Sequence, residues 1–181
     1  MQGTMQGKEW IVEGNVWRVG DNVNTESIYS TQWHGKKEVV LAHLGELVIP
    51  EFPKKVKQGD IWVAGVNFAC SSSRNVAGLL KEKGIGAILC HSSSRNNFRN
   101  AVHSGIPCFE IGDEVKKIKM GDRVRVNVRT GEIKNLTTGD EIKAQPYPDF
   151  LMETLEAGGL IPKILSRKDE YKIKVTLGGF Q

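Results

Sequence analysis

Cysteine is scarce in this 181-residue chain, with only Cys70, Cys90 and Cys108, widely spaced and odd in number. Three thiolates can hold a cubane iron–sulfur cluster with one open iron, but such clusters draw at least two ligands from one tight turn, as in C-x-x-C. No such turn occurs here, and each cysteine lies at or just past an apolar segment, so all three are expected as buried thiols. Long apolar runs are also lacking. No stretch is long enough to cross a bilayer, and the opening "MQGTMQGKEW" has no signal-peptide hydrophobic segment, so a cytoplasmic location is expected. Charge of one sign is in short supply too: 25 basic against 21 acidic residues leave a net +4. That suits small anions and is too scattered for nucleic acid. The chain contains no G-x-S-x-G elbow, no phosphate-binding P-loop and no G-x-G-x-x-G. Its histidines, His34, His43, His91 and His103, have no metal-ligand spacing, and no metal site is expected.

What remains is an ordinary globular composition, 39% hydrophobic and 25% charged, sufficient for one sizeable core. "EWIVEGNVWRVGDNVNTESI" alternates and predicts a strand, a turn and entry into a second strand. A loop follows around Trp33 to Lys37, then a short helix from Glu38 to Leu44 and the polar connector "FPKKVKQGD". A regular rhythm begins at Ile61: strand Ile61–Val66, helix Val76–Lys83 stopped by Gly84, and strand Ile85–Cys90. A helix Asn96–His103 closed by Gly105 and the strand "CFEI" complete it. Strands joined by crossover helices at this spacing are parallel. "DRVRVNVRTGEIKNLTTGDEIKAQPY" then alternates with period two, an antiparallel meander, and "DFLMETLEAGGL" predicts an amphipathic helix capped by Asp149 and ended by Gly158-Gly159. The stretch from Ile164 onward reads as a tail.

Two turns stand out. "CSSSRN" at Cys70 to Asn75 is echoed by "CHSSSRN" at Cys90 to Asn96, each where a parallel strand hands over to a helix. Ligands gather at such strand ends, helix N-termini favour anions, and an arginine fork matches a carboxylate. Simple helix capping is the competing account, since Ser and Asn are favoured N-caps. It suffices for the second turn, and His91 beside it reads as a surface or capping residue. In the first, three serines facing Arg74 exceed what a cap requires.

"GDIWVAGVNFACSSSRNVA" followed by "GIGAILCHSSSRNNFRNAVHSGIP" resembles the small subunit of 3-isopropylmalate dehydratase and homoaconitase, the swivelling domain of the aconitase superfamily. The family wording N-[FY]-G-C-G-S-S-R-E-H-A is met by Asn67, Phe68, Cys70, Ser72, Ser73, Arg74 and Ala77. S-F-A-R-I-F-x-R-N-x-x-x-x-G-[LI] is met by Ser92, Arg95, Phe98, Arg99, Asn100, Gly105 and Ile106, and "GDNVNTESI" resembles an early G-D-D-[VI]-[DN]-T-D-x-I. The sequence departs from the pattern at Ala69 and Ser71, which replace glycines, at Asn75 and Val76, and at Glu26, where the family has an active-site aspartate.

The resemblance implies an α/β fold, a swivelling β/β/α domain with a parallel strand–helix–strand core and an antiparallel β portion. It would form one domain over 1–181, with a core of about 10–165 and a tail of about 166–181. It implies a hydro-lyase active only with a separate large subunit that carries a [4Fe-4S] cluster, with no cofactor in this chain. Ser72 would be the base and Arg74 the carboxylate clamp, with Ser73, Asn67 and Glu26 in substrate binding. Trp33 and His34 would occupy the specificity loop, "YSTQWHGKK" here. Isopropylmalate, homoaconitate and other branched hydroxy acids of the dimethylmalate or methylcitrate type stay open as substrates. A swivelling domain that only binds anions is the non-enzymatic alternative.

Overall fold

Burial on both faces of the central strands organises the molecule. In the computed structural model, which describes residues 9–167, strands β2 (Ile61–Ala64) and β3 (Ala87–Cys90) are buried at every position, as parallel strands covered on both sides must be. They lie between β4 (Cys108–Glu110) and β1 (Ile11–Arg18), and all four run parallel. The other edge of β1 pairs antiparallel with β5 (Arg123–Asn127), which continues through β6 (Glu132–Asn135) to β7 (Glu141–Lys143). The described residues thus form one seven-stranded sheet in the order β4-β3-β2-β1-β5-β6-β7. The parallel core and antiparallel portion are as expected; the membership of β1 in both has no signal in the sequence.

Alternate residues of the strands feed two cores. Trp62, Ala64, Ile88, Cys90 and Cys108 face one side. There they meet α2 (Lys37–His43), α3 (Phe52–Lys55), α4 (Val76–Lys83) and α5 (Arg95–Ser104) through residues such as Leu44, Phe52, Leu80 and Ala101. Ile61, Val63, Ala87 and Leu89 face the other, with Val124, Val126, Ile133 and Met152 of α6 (Asp149–Glu156). The buried Asp60 carboxylate joins the ends of β1 and β2, accepting from Trp17 Nε1 at 2.8 Å, Lys57 N at 2.9 Å and Asn15 N at 3.1 Å.

Several local expectations change. After β1 the chain enters not a second strand but the one-turn helix α1 (Thr25–Ile28), because the Asn24 side chain accepts the Ser27 N–H at 2.8 Å. The polar connector holds a buried anchor: Phe52, the first residue of α3, packs edge-on against both Trp17 and Trp62. Asp149 is the first helical residue, not the cap; Pro148 occupies that position without a side-chain bond. The reading of a tail from Ile164 is corrected up to Ser166, since Leu160–Ser166 forms the helix α7; residues 168–181 lie outside the described residues. Cys90 and Cys108 are buried as expected, whereas Cys70 is only half-buried.

Gly84 and Gly105 end α4 and α5 in the left-handed conformation, as the sequence predicts. Gly105 has a second duty: a Cβ there would sit 2.2 Å from the backbone of Gly158, where α6 turns into α7. We expect Gly105→Ala to cost about 2–5 kcal/mol from strained φ and overpacking together. Urea unfolding measures it, and a wild-type midpoint would show that this junction yields freely.

Candidate active site

The first serine turn leaves β2 through backbone angles that side chains resist. Asn67, Ala69 and Ser71, at every second position, take φ of 58°, 52° and 73°. Asparagine tolerates this region; alanine and serine lose about 1–2 kcal/mol each there. Ala69 and Ser71 replace the glycines of the resembling motif, and the chain keeps the left-handed conformation without them.

Neighbours on both sides hold the strained segment. Phe68, fully buried, gives its N–H to Ser92 O and takes the Ser94 N–H, both at 2.9 Å. Ser92 Oγ accepts from Asn67 N at 2.9 Å, and Ser94 Oγ donates to Ala69 O at 2.8 Å. From the opposite side Thr25 binds Cys70 O with its N–H at 3.1 Å and its hydroxyl at 2.8 Å. The second serine turn is therefore a brace for the first. Ser94 also caps α5, as expected, while Ser93 accepts from Asn97 Nδ2 at 2.9 Å. The cap of α4 is Asn75, which accepts the Gly78 N–H at 2.8 Å. Capping therefore leaves the serines of the first turn unused.

Arg74 is the hub of the site. Its Nη2 binds Glu26 Oε2 at 2.5 Å, its Nη1 binds Tyr29 O at 2.8 Å, and its Nε lies 3.3 Å from Ser72 Oγ. The guanidinium also stacks 5.3 Å over the Tyr29 ring. Of its five N–H groups these bonds engage three, which leaves two for a ligand. Ser72 Oγ accepts a second bond from Arg74 N at 3.3 Å. Two donors, one cationic, thus point at this oxygen and favour its ionised form.

Glu26 is held hardest. Oε1 accepts from Thr31 N at 2.7 Å, Ser30 Oγ at 2.9 Å and Thr31 Oγ1 at 3.0 Å, while Oε2 meets Arg74. The Thr31 N–H first, and Arg74 second, lower its pKa from 4.5 to about 2. Glu26 thereby ties the arginine to the one-turn 3₁₀ helix Thr31–Trp33.

Of the residues expected at the site, Ser72, Arg74 and Glu26 form one bonded cluster. His34, exposed, joins it through Tyr29, whose hydroxyl lies 2.7 Å from His34 Nδ1. Trp33 turns instead onto His43 of α2, ring centroids 4.7 Å apart. Asn67 Nδ2 donates to Asn22 Oδ1, and exposed Ser73 takes the Asn100 side chain on its carbonyl at 3.2 Å. Neither bonds Ser72 or Arg74 directly. His91 stands near Asp113, outside the cluster. Sequence reasoning passes over Tyr29 and Thr25; Tyr29 opens the specificity segment, and nothing local signals that it will lie beneath an arginine 45 residues away.

The site lies at the surface, with Ser72 and Arg74 half-buried and Asn67, Ser71 and Ser73 exposed around them. A groove of about 730 Å³ lies on the antiparallel strands, and another of about 470 Å³ lies beside Asn75 and His103; neither is lined by Ser72 or Arg74. The cysteines do not suit a cluster. The Cys90 thiol is held to Cys108, and that bond together with burial pushes its pKa up, away from the thiolate that ligation requires. Among the described residues no three His, Cys, Asp or Glu side chains are placed to share a metal. No described helix is long and apolar enough to cross a membrane.

Known proteins share this chain's sequence and fold. It is 44% identical over 163 residues to the isopropylmalate/citramalate isomerase small subunit of Methanocaldococcus jannaschii, covering 88% of this chain and 97% of that one. It is 38% identical over 164 residues to the methanogen homoaconitase small subunit of Methanothermobacter thermautotrophicus, covering 89% and 95%. The crystal structure of a 3-isopropylmalate dehydratase chain from M. jannaschii superposes with a TM-score of 0.82 at 32% identity, over 90% of this chain and 98% of that one. No protein-family model matches. The fold and the relatives define the small subunit of a hydro-lyase that acts with a large subunit. The chain belongs to the family of 3-isopropylmalate dehydratase and homoaconitase small subunits.

The Glu26 bonds set a pH dependence. A carboxyl with a lowered folded-state pKa contributes stability that is fully present above its unfolded value. That contribution declines as pH falls from about 4.5 and is gone below about 2. Carboxyl-detected NMR is expected to show Glu26 titrating near pH 2, and Glu26→Gln to flatten the acid limb of the stability curve. A Glu26 titration near 4.5 in the folded protein would mean that these bonds do not persist in solution.

Proposed function

We propose that this chain closes over the active site of a large subunit and supplies the base and a carboxylate clamp for the dehydration and rehydration of a hydroxy dicarboxylate of the isopropylmalate kind. The observation that carries this reading is the Ser72–Arg74–Glu26 cluster: a hydroxyl oxygen facing an oriented, partly unused arginine. Arg74 binds one substrate carboxylate through its two remaining N–H groups, with Glu26 and Tyr29 O fixing the plane of its fork. Ser72 Oγ, as the alkoxide, then takes the proton from the carbon beside a carboxylate. The C–H electrons become the new double bond, and the hydroxyl on the adjacent carbon leaves as hydroxide with the electrons of its C–O bond. Addition of hydroxide to the carbon that lost the proton, with Ser72 Oγ–H giving its proton to the carbon that lost the hydroxyl, yields the isomer and restores the alkoxide.

A serine alkoxide is costly in water, and the arrangement answers that cost. Arg74 stabilises the oxygen, and a partner surface laid over the open site excludes solvent. The large subunit is the home proposed for the [4Fe-4S] cluster, which when bound supplies a Lewis acid for the departing hydroxyl. Ser73 and Asn67, at the exposed rim, and His34 and Trp33, on the loop tied to Glu26, are proposed to contact the rest of the substrate. A cytoplasmic setting belongs to the same reading.

We expect the purified chain alone to be colourless and inactive, and to gain activity when mixed anaerobically with its large subunit. Stoichiometric iron and sulfide in the isolated chain would return its cysteines to the list of ligands. In the reconstituted enzyme Ser72→Ala is expected to lower kcat by about 10²–10⁴ with little change in KM. Ser71→Ala is expected to be mild. Arg74→Lys keeps the charge, loses the fork and is expected to raise KM strongly with the fold intact. Near-normal kcat in Ser72→Ala would move the base elsewhere.

A further inference from the structure

α5 breaks two local rules at once, and nothing among the described residues compensates. Its first residue is Arg95, a cation at the positive end of the helix, where an acidic residue is favoured. Arg99 follows at the i+4 position on the same face, a like-charge pair that weakens a helix. The first turn holds no acidic residue, and His103 extends the same exposed face. Elsewhere the chain engages its arginines. Arg18 binds the carbonyls of Val115 and Ile118, Arg74 binds Glu26, Arg123 and Arg125 share Glu13, Arg129 pairs with Glu156, and Arg167 lies by Glu153. Among the described residues Arg95 and Arg99 alone of the arginines have neither an ion pair nor a side-chain hydrogen bond. Local rules broken without an internal gain mark functional surfaces.

Position says which surface. Asn100, the residue after Arg99, holds the carbonyl of Ser73 at 3.2 Å, so the stripe borders the rim of the open site. The other face of α5 is fixed, with Asn97, Ala101 and Val102 buried and Phe98 stacked toward Tyr147, so Arg95 and Arg99 are presented outward from a rigid base. We propose that Arg95 and Arg99 form a docking stripe that pairs with an acidic surface of the large subunit and steers it over the Ser72–Arg74 site. This rests on the two-subunit reading above. Charge complementarity at the edge of an interface acts mainly on the association rate and its salt dependence. That fits a stripe beside, not within, the catalytic cluster.

The test uses the full-length chain and the recombinant aconitase-type large subunit of the same organism, both under anaerobic conditions. Association and dissociation rates are measured from low to high salt for wild type, Arg95→Gln, Arg99→Gln and the double variant. We expect the double variant to associate about tenfold or more slowly at low salt. That difference should shrink as salt screens it, with the dissociation rate little changed. With large subunit in excess, kcat and KM are expected to match wild type. The urea midpoint should hold or rise, because the like-charge pair and the cation at the helix start are gone. Equal association rates and salt slopes for variant and wild type, in a wild-type pair that assembles and turns over, would overturn the stripe alone. A raised KM with normal assembly would overturn it in favour of substrate steering, and a lowered midpoint in favour of a structural role. Failure of the wild-type chain to bind the large subunit would overturn both the stripe and the reading it rests on.

Discussion

At Asn67, Ala69 and Ser71 the backbone takes angles that glycine adopts freely and alanine and serine resist, and the position of the Ser72–Arg74–Glu26 cluster depends on its staying there. Its hold is mutual. Phe68 is sunk into the core and bridged to Ser93, while Thr25 grips Cys70 from the other side. Released, the turn would relax toward extended or right-handed angles, and Ser72 would lose its place beside Arg74. Two residues at a cost of about 1–2 kcal/mol each are tolerable against bonds on both flanks. Strain of this kind concentrates where a side chain must be presented at a fixed angle.

The same brackets bring separate parts of the chain to one spot. The parallel half of the sheet delivers the two serine turns side by side at the ends of β2 and β3, because those strands are neighbours in register. β1, shared by both halves of the sheet, brings the segment from Asn22 to Thr31 across those strand ends. Glu26 then joins that segment to Arg74 and to the 3₁₀ turn in a single set of bonds. Orientation of the arginine, ionisation of the glutamate and placement of His34 are therefore coupled. A change in the segment from Tyr29 to His34 would be felt at Arg74 through Glu26 and Tyr29, without any direct contact with Ser72.

The site is built as half of something. Arg74 has donors to spare, Ser73 and His34 are exposed, and Arg95 and Arg99 lie beside them without side-chain partners among the described residues. A finished pocket would enclose its polar groups and exclude water from them. Leaving that task to another surface accounts for an exposed rim on an otherwise well-packed chain.

Much of this architecture is legible in the amino-acid sequence. Period-two alternation and the strand–helix rhythm from Ile61 to Ile111 mark the mixed sheet, and Gly84 and Gly105 mark helix ends, because each of these signals acts over a few residues. The first serine turn announces itself by excess: three hydroxyls and an arginine where one cap suffices, and the cap is Asn75. Long-range geometry is not legible. The second serine turn braces the first, β1 serves both halves of the sheet, Phe52 anchors between two tryptophans, and Tyr29 lies beneath Arg74. Each of these joins residues from separate elements, and no local pattern announces the meeting. Local sequence determines which conformations and which chemistry each segment can offer. Which segments meet is decided by packing two apolar faces around one sheet, and only that packing turns a serine, an arginine and a glutamate into a site.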